Sequence, residues 1–255
     1  MRICRFTHQE NSHPLYGIME GETISPLASA NPFDSPLRAG ADKINLSEVR
    51  LLAPVIPSKI VCVGRNYKDH AAELGNSMPL EPLLFLKPPS AIIAPGESIE
   101  LPPLSNQVEH EGELGAVIGR TTRRLNAADD ALAYVFGYTC VNDVTARDLQ
   151  RKDVQFTRAK SFDTFCPVGP WIETSLEPND VAVTTRVNGA VKQQSRTSAM
   201  AFSVSLIIRY ISQIMTLYPG DLIATGTPAG VSRLQAGDVV EVEVEGIGVL
   251  SNNVR

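Results

Sequence analysis

Glu111 and Glu113 stand at i and i+2 in the run Val108-Glu109-His110-Glu111-Gly112-Glu113-Leu114-Gly115-Ala116-Val117-Ile118-Gly119, whose flanks read as a β-strand. On a strand such residues share a face, about 7 Å apart along the backbone. Two ionised carboxylates held side by side raise each other's pKa unless a cation lies between them. An all-oxygen donor set suits Mg²⁺, Mn²⁺ or Ca²⁺ better than Zn²⁺ or copper. The same alternation also fits a half-buried strand with Glu109, Glu111 and Glu113 on its solvated side. A third carboxylate weighs toward the metal. Asp143 follows the apolar run Val135-Phe136-Gly137-Tyr138-Thr139-Cys140-Val141 at the carboxyl end of an expected strand, where active-site residues often gather. The competing role is an N-cap, by Asn142 or Asp143, for the helical turn that follows.

Three further segments carry candidate chemistry. His70 and Glu73 lie at i, i+3 on an expected short helix and would share a face; a His oriented by a carboxylate is a common general base, although a solvated surface pair has the same spacing. Lys160, in Arg158-Ala159-Lys160-Ser161-Phe162, fits either a partly buried cation aimed at an anion or an ordinary solvated lysine. Ala224-Thr225-Gly226-Thr227-Pro228-Ala229-Gly230-Val231 is a Gly-rich turn that can offer N–H groups and hydroxyls to a carboxylate, or simply reverse the chain.

The elements that must position these groups are mostly strands. Residues 1 to about 57 read as a small β-rich unit and linker, with a strand at 2–6 and a hairpin around Glu20-Gly21-Glu22. From 58 to 255 a second unit begins with the strand Lys59-Ile60-Val61-Cys62-Val63-Gly64, a short helix over 67–74 ended by Gly75, and the strand Leu83–Lys87. Residues 127–134 are expected to be helical. The clearest helix is expected over 202–218, with Leu206, Ile207, Tyr210, Ile211 and Ile214 on its apolar face. Regular strand–helix alternation is absent, so the fold class is a strand-dominated mixed α+β protein with curled sheets rather than a doubly wound one.

Composition narrows the function. The 255 residues carry a net charge of −5 with 20% charged side chains, which gives no electrostatic footprint for nucleic acid and favours a small metabolite as partner. Cys4, Cys62, Cys140 and Cys166 are scattered without a Cys-x-x-Cys pair, as expected of reduced core thiols in a cytoplasmic protein. No signal-peptide pattern and no apolar run of membrane-spanning length is present.

Taken together, Gly64-Arg65-Asn66-Tyr67 with His70 and Glu73, Phe85-Leu86-Lys87-Pro88, His110-Glu111-Gly112-Glu113-Leu114, Asn142-Asp143-Val144-Thr145-Ala146-Arg147-Asp148, Lys160 to Pro170 and Thr225-Gly226-Thr227-Pro228-Ala229-Gly230-Val231 closely resemble the fumarylacetoacetate hydrolase superfamily. The resemblance spans roughly residues 58–255 and is nearest the compact branch of acylpyruvases, oxaloacetate decarboxylases and hydroxyheptadienedioate isomerases. It implies a β-roll core, one Mg²⁺ or Mn²⁺ per subunit held by Glu111, Glu113 and Asp143, and a homodimer. It further implies a His70/Glu73 pair on a lid, Lys160 as a catalytic cation, and Arg65, Tyr67, Arg147, Gln150 and Thr227 at the substrate. Gly112 departs from the larger residue that related sequences often carry there. The reaction so implied is hydrolysis of the C–C bond of an acylpyruvate-type 2,4-dioxo acid by a His70-activated water, through a pyruvate enolate. Oxaloacetate decarboxylation and enol–keto isomerisation pass through the same enolate and stand as alternatives. A non-catalytic metabolite-binding protein is the alternative from another class, and the intact triad and acid/base pair argue against it.

Overall fold

The computed structural model describes residues 1–8, 11–34 and 36–255. Its strands of three residues or more are β1 (Arg2–His8), β2 (Asn11–Glu20), β3 (Thr23–Pro26), β4 (Val49–Leu52), β5 (Ile60–Gly64), β6 (Leu83–Lys87), β7 (Gly112–Ile118), β8 (Val135–Asn142), β9 (Cys166–Glu173), β10 (Ala182–Val187), β11 (Ala190–Arg196), β12 (Leu222–Ala224), β13 (Val239–Val244) and β14 (Gly248–Val254). The α-helices are short: α1 (Lys68–Glu73), α2 (Arg147–Lys152), α3 (Thr157–Lys160) and α4 (Val204–Ile214). The strand-dominated mixed architecture read from the sequence is the one observed.

The large sheet runs β3-β2-β1-β9-β8-β7-β12-β5-β6, and a smaller one runs β11-β10-β13-β14. β7 lies centrally, antiparallel to both β8 and β12, while β12 runs parallel to β5. Its Leu114, Ala116 and Ile118 enter one core with Val183, Val242 and Val244 of the smaller sheet and Ile207, Ile208 and Ile211 of α4. Its Val117 enters a second core on the opposite face with Ile3, Ile60 and Val141. Burying each such aliphatic side chain contributes about 1.5–3 kcal/mol, so this strand is among the best-anchored segments of the chain. The amino-terminal strands continue the large sheet, since Arg2 and Ile3 of β1 pair with Glu173 and Ile172 of β9. They also hold a small core of their own, formed by Cys4, Phe6, Met19 and Ile24.

Three local expectations need correction. The strand expected across 108–119 is broken: Val108–Glu109 pairs with Thr145–Ala146, β7 starts at Gly112, and His110-Glu111 lie in the gap. The expected 202–218 helix spans only Val204–Ile214, because Ser203 caps its start and Leu217 exchanges backbone hydrogen bonds with Thr122 instead of continuing the helix. Its buried face is Val204, Ile207, Ile208 and Ile211, whereas Leu206 and Ile214 are exposed. Over 127–134 only Ala131–Tyr134 turns helically, as a 3₁₀ segment capped by the Asp130 side chain.

Candidate active site

The break before β7 shapes the site. The Glu111 N–H donates to Asn142 Oδ1 at 3.0 Å, and its carbonyl accepts from the Asp143 N–H at 2.8 Å, which pins the gap to the end of β8. Glu111, Glu113 and Asp143 therefore converge, each offering a carboxylate oxygen within 4.8 Å of the others, and all three are buried. This excludes the solvated-face reading. Asp143 does not cap a helix either, because α2 begins after Ala146 without a side-chain cap.

Cations surround the triad. Lys160 Nζ bridges Glu111 Oε2 at 2.7 Å and Asp143 Oδ2 at 2.5 Å, and lies 5.0 Å from the centre of the Phe85 ring. Lys87 Nζ, at the end of β6, donates to Asp143 Oδ1 at 2.6 Å. Arg147 donates through Nε to Glu109 Oε2 at 2.7 Å and also pairs with Glu111. Burial alone would raise the Glu111 carboxyl, but Lys160 and Arg147 outweigh it and hold it well below the ordinary carboxylate range. Burial would lower Lys160; Asp143 and Glu111 outweigh that and raise it. Glu113 goes the other way, pushed up by burial and then by the Asp143 and Glu111 charges.

The reason is visible in the contacts. Of the buried carboxylates Glu109, Glu111, Glu113 and Asp143, Glu113 alone among the described residues touches no cation; it accepts only the Gly226 N–H, at 2.7 Å. Four carboxyl groups thus face three cations, and the unbalanced one, Glu113, lies beside Glu111 and Asp143. That donor set fits a hard divalent ion, to be held by Glu111, Glu113 and Asp143.

A cavity of about 330 Å³ opens onto the triad, and its wall includes Arg65, His70, Gln150, Arg151, Lys160 and Thr227. His70 is buried, with Nδ1 3.3 Å from Glu73 Oε2, so the pair is no surface ornament. Glu73 also accepts the Gly230 N–H, at 3.0 Å to Oε1, and this docks α1 on the Gly-rich turn. Gln150 Oε1 accepts from Arg147 Nη1 at 2.5 Å, which leaves its amide N–H groups for the cavity. Thr227 lines the wall, but its hydroxyl donates to the Gly112 carbonyl at 2.9 Å and accepts from Gln193 at 2.7 Å. Arg65 holds a positive φ of 56°, and its side chain makes no ion pair with any described residue. Tyr67 does not line this cavity but a separate one with Lys68 and Asp69; it is buried, and its hydroxyl lacks a partner among the described residues.

Sequence reasoning passed over Lys87, Glu109 and Gln193 as parts of the site. A lysine ending an apolar strand before Pro88-Pro89 was the available signal for the first, and the alternation with Glu111 and Glu113 for the second; nothing local marks Gln193. At Gly112 a Cβ would lie 2.0 Å from Thr185 Oγ1, so the departure from a larger residue reflects space already filled by β10.

Residues 59–255 match the family model for the fumarylacetoacetate (FAA) hydrolase C-terminal domain. The chain belongs to the fumarylacetoacetate hydrolase family. Residues 1–54 match the Rv2993c-like N-terminal domain. Over its whole length the chain is 52% identical to protein Rv2993c of Mycobacterium tuberculosis, covering 98% of that protein. Over 82% of its length it is 46% identical to the Bos taurus mitochondrial oxaloacetate tautomerase FAHD2A, covering 70% of that protein. Among solved structures, the 2-hydroxyhepta-2,4-diene-1,7-dioate isomerase from Mycobacterium marinum superposes with a TM-score of 0.91 at 46% identity, covering 100% of this chain and 98% of the other. The family is one of enzymes, and the four cysteines are free and buried as expected. Among the described residues, no helix is long and apolar enough to cross a membrane.

Proposed function

We propose that the chain is a Mg²⁺- or Mn²⁺-dependent enzyme that moves a proton at the carbon beside the carbonyl of a 2-oxo acid, an enol–keto tautomerase or isomerase. The observation that carries this reading is His70, a buried imidazole on the wall of the triad cavity, held at Nδ1 by Glu73. Nε2 is thereby left to take a proton from the substrate carbon and return it. When bound, the divalent ion supplies Lewis-acid polarisation of the 2-oxo carbonyl. Lys160 adds a fixed positive charge where enolate charge develops on the substrate, and the amide N–H groups of Gln150 orient a carboxylate. Arg65, at the cavity wall and without an ion-pair partner among the described residues, is placed to take a second carboxylate, which favours dicarboxylic 2-oxo acids. The tautomerase and the isomerase among the 46%-identical relatives support this choice.

The second reading is the C–C hydrolysis of acylpyruvates expected from sequence, and the same His–Glu pair favours it because it can also deprotonate water. Decarboxylation of oxaloacetate calls for the cations but for no proton acceptor. We read the active form as a cytoplasmic homodimer with a small 2-oxo acid as its partner, to be checked by light scattering. The deciding experiment offers acetylpyruvate, fumarylpyruvate, oxaloacetate and a hydroxymuconate-like dienedioate with Mg²⁺ and with Mn²⁺. Substrate loss and product identity are followed by proton NMR. Solvent deuterium entering the carbon beside the carbonyl faster than any bond cleavage supports proton transfer; acid products from acylpyruvates without such exchange move hydrolysis ahead, and metal-independent or absent turnover of all four overturns both.

A further inference from the structure

Gln193 is the one buried side chain of β11, a strand whose other residues are exposed or half-exposed, and it is completely inaccessible to solvent. An amide rather than an apolar group in that position needs a reason, because an unsatisfied buried amide is costly. Its hydrogen bonds supply one. Oε1 accepts from the Gly112 N–H at 3.1 Å and faces His110 Nδ1 at 2.9 Å; Nε2 donates to Thr227 Oγ1 at 2.7 Å and to the Pro228 carbonyl at 2.7 Å. The orientation is forced, since a backbone N–H can only donate and a carbonyl can only accept. His110 must then carry a proton on Nδ1, and in the neutral ring Nε2 accepts from the Ser232 hydroxyl, 2.9 Å away.

The groups that Gln193 joins are the two halves of the site. Gly112 lies between the carboxylates Glu111 and Glu113. Thr227 and Pro228 belong to the turn that gives the Gly226 N–H to Glu113 and the Gly230 N–H to Glu73. The turn is equally constrained at its far end: Gly230 has φ +105°, and a Cβ there would meet the Lys192 carbonyl, next to Gln193, at 2.0 Å. We infer that Gln193 is a positioning residue that fixes the Thr225–Gly230 turn against the metal-ligand strand, so that the docking point of Glu73, and through Glu73 the orientation of His70, is set relative to Glu111 and Glu113. The inference rests on the proposed acid/base role of His70 and Glu73 for its kinetic consequence, and on the hydrogen-bond geometry alone for its structural one.

The test separates these. Gln193→Met keeps the length of the side chain and removes its four hydrogen bonds. Hydrogen exchange, read by mass spectrometry, is expected to speed up at least tenfold in the peptides holding residues 68–73 and 225–231, with peptides from β8 and β13 unaffected. This arm needs no turnover, so it stands whatever the reaction. In kinetics kcat is expected to fall 10- to 100-fold, and in a Glu73→Ala background Gln193→Met is expected to cost less than twofold further, because the contact it positions is already gone. Unchanged exchange at 68–73 and 225–231, or losses that multiply in the double variant, would overturn the proposal. Should Gln193→Met fail to fold, Thr227→Val breaks the same link with one hydroxyl. Faster exchange in both segments is again expected, and unchanged exchange there overturns the inference equally.

Discussion

Replacing Lys87 by Met tests the charge inventory of the site. The Lys87 ammonium is fully buried, 2.6 Å from Asp143 Oδ1 and 3.1 Å from the Val144 carbonyl. Methionine keeps the unbranched stem and removes the charge, so Asp143 is left with Lys160 alone. Removing one partner of a buried ion pair costs about 3–5 kcal/mol. In a chain of this length each kcal/mol lowers Tm by roughly 2–4 °C, so the chelator-treated variant should melt about 6–20 °C below the wild type. Saturating divalent metal should narrow that gap. With Lys87 gone, the four carboxylates face two protein cations rather than three, and the ion meets a stronger field. A tenfold gain in metal affinity corresponds to about 1.4 kcal/mol, or roughly 3–6 °C recovered at saturation. Scanning calorimetry of both proteins in EDTA and in excess Mn²⁺ makes the comparison. An equal deficit under both conditions would show that no ion shares the field of Asp143, and the metal assignment would fail with it.

Three other outcomes follow from the same geometry. Glu113 has a raised pKa in the folded chain, so the metal-free protein should lose stability as pH climbs from the unfolded carboxyl range through that raised value. Because the ion must displace this proton, metal affinity should increase with pH over the same window. Calorimetric titrations in buffers of different ionisation heat would detect the released proton, and a pH-independent affinity with no release speaks against Glu113 as a ligand. Glu113→Gln should leave the metal-free protein at least as stable as wild type at pH 7.5 while abolishing the Tm rise on adding Mn²⁺; an undiminished rise excludes the triad. His70→Ala should slow proton transfer about 10²–10⁴-fold, the usual cost of losing a general base, and spare any oxaloacetate decarboxylation. Equal losses in deuterium exchange and decarboxylation, measured side by side, would assign His70 a wider role.

Much of this protein was written in residue types and their spacing. The alternation of Val with Glu over 239–245 sets one face of β13 inward, with Val240, Val242 and Val244 buried, because a period of two is a local property of an extended chain. The carboxylates at 111, 113 and 143, the His70/Glu73 pair and Lys160 were legible because few other residue types hold a hard cation or carry a proton. The four cysteines, lacking metal-ligand spacing, read correctly as core thiols.

Tertiary structure decided what local pattern leaves open. Strand alternation would have put Glu111 and Glu113 side by side with one face in water. Instead Asn142 and Asp143, some thirty positions on, hold the backbone of Glu111 where the strand is broken, and Glu111, Glu113 and Asp143 are all buried. The same applies to the end of α4, which yields to a backbone pair with Thr122, an interaction no helical periodicity contains. Lys87 and Glu109 look ordinary in sequence because the charges they pair with lie 56 and 38 residues away, and Gln193 because its partners lie 34 to 83 residues away. A buried charge or amide is costly or stabilising according to what the fold sets against it, and that is fixed only when the sheets close. The sequence determined which groups could hold the metal and move the proton; the packing of two sheets around a broken strand determined which cations offset them and left Glu113, of the buried carboxylates Glu109, Glu111, Glu113 and Asp143, without a cation among the described residues.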